Sequence, residues 1–170
     1  MSTQSFANPA GAPHLHGAGE HAGAEDEFLA LSVALTGFDV YELQGTGVAG
    51  EYFTTLWRIV PDAAAELMQV WRTIVQDPPP GGVEEGVRTR ILDSTRLGPV
   101  AQNVITMWYT GQWVPLPDAW HYAYGTPPED ENHVVSALAY QESLMWKAAG
   151  TNPMGAKQPG FGTWALPPRP

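Results

Sequence analysis

From Leu97 to Pro117 the chain carries no Asp, Glu, Lys, Arg or His. Water-facing surface is rarely built that way, because charged residues ordinarily crowd the outside of a folded domain. The preceding stretch is different: 17 of the 72 residues from Glu25 to Arg96 are charged, against 8 of the 74 from Leu97 to Pro170, and five of the seven Trp lie in the second group. A membrane span is the first rival explanation. Pro99, Pro115 and Pro117, with Gly98 and Gly111, cut the stretch too short for the roughly 20 apolar residues such a helix needs, and Gln102 and Asn103 would be costly in hydrocarbon. Another protein suits it better, since interface centres are depleted of charge and enriched in Trp, Tyr and Met.

The whole composition narrows the function further. At 170 residues the chain is about one domain by the usual prior of roughly 100–200, too short for a dinucleotide-binding domain with a separate substrate domain. Eighteen acidic against eight basic residues give a net charge of −10, which opposes any grip on a phosphate backbone, so no nucleic acid partner is expected. With no Cys, thiol catalysis, thiolate metal sites and disulfides are closed, and association with another chain must be noncovalent. The first basic residue is Arg58, so neither the positive start of a secretory signal nor a twin-arginine pair is visible.

Three regions follow from the pattern. Residues 1–24 hold six Ala, four Gly and three His with one charge, Glu20, and read as a disordered tail; His14, His16 and His21 lack the framework of a metal site. Residues 25–149 read as a helical domain, and residues 150–170, with five Pro and four Gly, as an extended arm. In the helical domain, Phe28, Leu31 and Leu35 share a face and Gly37 is placed to stop the helix. Ala49, Tyr52, Phe53, Leu56 and Val60 form a second stripe; Asp62 is placed as the cap of a third helix carrying Leu67, Val70, Trp71, Ile74 and Val75. Val83 to Ser94 is a weaker helical pattern. The fold class is therefore mainly α, an irregular helical bundle.

Beyond Pro99 a helix would present Val100, Val104, Met107 and Trp108 on one side and Gln102, Thr106 and Thr110 on the other. Residues 115–132 read as a loop, and Asn132 to Ala148 as a last helix with Val134, Val135, Leu138, Met145 and Trp146 on a broad face that has Glu142 in its middle. That carboxylate needs a donor, either in this chain or on a second subunit. In the arm, Met154, Phe161, Trp164 and Leu166 are apolar anchors on restricted backbone, which either fold back onto the helices or reach onto a partner.

A search for catalysis returns little. Gly45–Gly47 lacks the third glycine and the βαβ setting of a dinucleotide loop, and no His-Glu-x-x-His pair occurs, so no catalytic, cofactor or metal residue is assigned. His121, with Asp118 three residues before it, or Glu142 would be the acid–base group if the chain were an oxidoreductase; in its loop, His121 is expected to bond a backbone carbonyl. The loop Trp113 to Tyr124 would be the stacking surface if it were a sugar-binding module.

Val104-Ile-Thr-Met-Trp-Tyr-Thr-Gly111, Tyr140-Gln-Glu-Ser-Leu-Met-Trp146 and Lys157-Gln-Pro-Gly-Phe-Gly162 with Trp164 occur in this order. Over Leu97 to Pro168 the chain resembles the small, gamma-type subunit of bacterial membrane-bound FAD-dependent sugar and sugar-alcohol dehydrogenases, the sorbitol dehydrogenase small-subunit family. The resemblance implies a non-catalytic subunit that stabilises a large FAD-containing catalytic subunit and escorts it for export, with electrons passing on to a multihaem cytochrome c subunit. It implies no cofactor in this chain and a periplasmic place at the membrane through the complex; without a visible export signal, the cytoplasm stays open. The contact residues it implies are Trp108, Tyr109 and Gly111, then Tyr140, Glu142, Met145 and Trp146, then Pro159, Gly160, Phe161 and Trp164.

Overall fold

The computed structural model describes residues 16–153 and residue 156, of which 16–22 are described as backbone only. It is mainly helical. In order come α1 (His16–Thr36), α2 (Val40–Gly45), α3 (Ala49–Ile59), α4 (Pro61–Gln76), α5 (Gly82–Gly86) running into a π-helical turn (Val87–Leu92), α6 (Leu97–Thr110), β1 (Gln112–Trp113), α7 (Asp118–Tyr124), β2 (His133–Val134), α8 (Ala137–Gln141) and α9 (Leu144–Ala148).

The core forms where apolar stripes of α1, α3, α4 and α6 meet. Phe28 and Leu31 of α1, Tyr52 and Leu56 of α3, Leu67, Met68 and Ile74 of α4, and Val100, Val104, Met107 and Trp108 of α6 are all buried. Trp108 stands edge-on to Tyr52, ring centres 4.9 Å apart. The expected stripe of α6 is thus correct, and Gln102 on its other side is exposed. What covers it is this chain's own helices. Val75, expected on the α4 stripe, is half exposed.

Several boundaries differ from the sequence pattern. The first helix begins at His16, so residues 16–24 of the expected tail are helical backbone. The third helix starts at Pro61, whose fixed φ and missing N–H suit a first position; Val60 precedes it and Asp62 lies in the first turn rather than capping. α2 carries too few apolar residues to show periodicity, but its capping box is complete: Asp39 accepts from the Glu42 amide and Glu42 accepts from the Asp39 amide. The loop expected over 115–132 contains α7.

The largest correction concerns Asn132 to Ala148. Instead of one helix, His133–Val134 pairs antiparallel with Gln112–Trp113, and two short helices follow. Ser136 is extended and its hydroxyl accepts from the Ala139 amide, which starts α8; Ser143, extended at ψ 136°, separates α8 from α9. At Ser136 serine competes with the helical backbone in this way; at Ser143 the hydroxyl makes no capping bond. Gly111 permits the arrangement. It ends α6 at φ 72°, and a Cβ there would lie 2.6 Å from the Ala139 backbone.

Candidate partner-binding surface

Residues 112–131 are organised by a carboxylate that the sequence pattern hides among three acids. Asp130 is buried. Its Oδ1 accepts from Trp113 Nε1 at 2.6 Å, and its Oδ2 accepts from the Leu116 amide at 2.8 Å and lies 2.6 Å from His121 Nε2. Asn103 adds a second fastening from α6, its amide bonded in both directions to the backbone of Val114. Trp120 donates to the Arg96 carbonyl at 2.9 Å. His121 therefore pairs with Asp130, not with Asp118 or a backbone carbonyl, because the turn after Pro127 brings Asp130 back beneath the ring.

This geometry acts as a clamp. A buried carboxylate with three donors fixes the loop and aligns the rings around it. It also removes Trp113 and Trp120 from the surface, leaving Tyr122, 96% exposed, and Tyr124 as the aromatic residues the loop shows to solvent. A sugar-stacking platform built on the loop tryptophans is not what the structure presents.

The residues expected to touch a partner divide into groups. Trp108 and Gly111 are buried within this chain, and Tyr109 is half-buried, its hydroxyl donating to the Thr36 carbonyl at 3.1 Å. They belong to the core of this chain and its edge. Tyr140, Glu142 and Trp146 are half-buried and Met145 is 40% exposed, all on the α8–α9 segment. Trp146 donates to the Tyr140 carbonyl at 2.8 Å, and the two rings meet edge-to-face at 5.5 Å. Pro159, Gly160, Phe161 and Trp164 lie outside the described residues, as do the other expected anchors Met154 and Leu166.

The helical wheel for 132–148 put Val134, Leu138 and Met145 on one broad face around Glu142; in the structure they are 49%, 40% and 40% exposed. Replacing the single helix by β2, α8 and α9, with breaks at Ser136 and Ser143, leaves them outward and turns in Ala139 and Leu144 instead. No Lys or Arg stands between Arg96 and Lys147, so this apolar strip lies on a segment whose charges are all acidic. Beside it, α2 and α9 border an open cleft of about 350 Å³ lined by residues that include Glu42, Glu142, Ser143, Trp146 and Lys147. Lys147 donates to Glu42, and this bond, with the Asp39 amide, holds the Glu42 carboxyl below the usual carboxylate range. Ser136 donates to Glu51 across the start of α8.

Among the described residues, no group of three or more His, Asp or Glu is placed to hold a metal ion, and no helix is long and apolar enough to cross a membrane. No protein-family model, curated protein or solved structure matches the chain.

Proposed function

We propose that this chain is the non-catalytic small subunit of an FAD-dependent sugar or sugar-alcohol dehydrogenase, of the sorbitol type, and that it stabilises the large flavoprotein subunit and escorts it during export. The observation that carries the reading is the α8–α9 segment. With the preceding strand β2, it leaves Val134, Leu138 and Met145 in water between Arg96 and Lys147, where no Lys or Arg stands, and it holds the Tyr140–Trp146 motif on which the family resemblance rests. Large apolar side chains left in water along one segment mark a surface that another protein covers. In this reading the flavin belongs to the partner, the complex faces the periplasm, and a multihaem cytochrome c subunit takes the electrons.

The test is co-expression with an FAD-containing sugar dehydrogenase subunit from the same genome. Co-purification is expected, with loss of the flavoprotein from the complex on deletion of residues 150–170 or on the double change Leu138→Glu, Met145→Glu. A flavoprotein that is equally stable and active without this chain would end the proposal.

A further inference from the structure

We draw no further inference here: the strongest candidate, the open cleft of about 270 Å³ between the start of α4 and α7, has its Arg96, Trp120 and Tyr124 side chains already engaged with Glu66, the Arg96 carbonyl and Thr95 respectively, and nothing in the structure shows what would fill it.

Discussion

The helical core and the loop-rich segment that follows it keep their shape by different means. Between α1 and α6 the structure relies on apolar stripes at helical spacing, and it tolerates polar atoms without partners: the Tyr52 hydroxyl and the indole N–H groups of Trp57 and Trp108 are buried and unbonded. From Gln112 onward directional bonds carry more of the structure, although His133 Nε2 and the Ser143 hydroxyl are also buried and unbonded. Trp113, Trp120 and Trp146 each donate, to Asp130, Arg96 and Tyr140 respectively, and short elements are fastened by Asn103 and Ser136. Shape complementarity among long helices excludes water with little need for directional bonds, whereas elements of two to seven residues cannot bury enough apolar area and must be pinned. The core is built from packing, the later segment from hydrogen bonds.

That difference sets the largest expected effects. Trp108→Ala removes a fully buried ring from the centre of the packing and should cost about 4 kcal/mol, with circular dichroism and Trp fluorescence falling together in denaturant. Asp130→Ala leaves three donors unsatisfied and should cost about 3 kcal/mol, with a different signature. The amides of residues 112–124 should lose hydrogen-exchange protection while α3 and α4 keep theirs, because the clamp serves its own loop. Asp130→Asn, retaining one acceptor oxygen, should recover part of the loss. Uniform loss of protection in both variants would show that the two regions are held in one way.

How much of this was legible follows the same division. Stripes such as Leu67, Trp71 and Ile74, or Val100, Val104 and Trp108, announce themselves because burial repeats with the helix turn. Asp130 does not, since nothing local separates it from Glu129 and Glu131; its role depends on a turn that returns it to Trp113 and His121. Met145 was expected at a contact and is exposed, but for a reason the wheel missed. Periodicity cannot see that Ser136 and Ser143 interrupt the helix, although serine's capping habit was a signal at Ser136, where the cap forms. An uncharged stretch is likewise ambiguous by itself: in α6 it is covered from within by this chain's own helices.

A smaller effect tests the pinning of the α8–α9 segment. Ser136 caps α8 through the Ala139 amide and donates to Glu51 of α3. Ser136→Ala should cost about 1 kcal/mol in chemical denaturation, the ordinary loss for an N-cap, and Ser136→Asp should restore less than a capping aspartate usually does, because its charge would face Glu51. Full restoration by aspartate would mean that the contact with Glu51 does not matter.

The smallest effect has the opposite sign and belongs to the core. Tyr52 is buried with its hydroxyl unbonded, and burial, reinforced by the charge of Glu51, pushes its phenol well above the ordinary value of 10.0. Tyr52→Phe keeps the ring against Trp108 and discards the unsatisfied oxygen, so it should stabilise the chain by about 1 kcal/mol at neutral pH. The pH dependence follows from the direction of the shift. The native state holds the phenolic proton more tightly than the unfolded chain, so the neutral ring's contribution is fully present below the unfolded value near pH 10. It is lost as pH rises beyond that, because the unfolded state gives up its proton first. Denaturation midpoints at pH 7 and at about pH 11 should therefore converge in Tyr52→Phe relative to the parent chain. An identical change would mean that water reaches the hydroxyl, and that the core is less tightly closed than the neighbouring clamp.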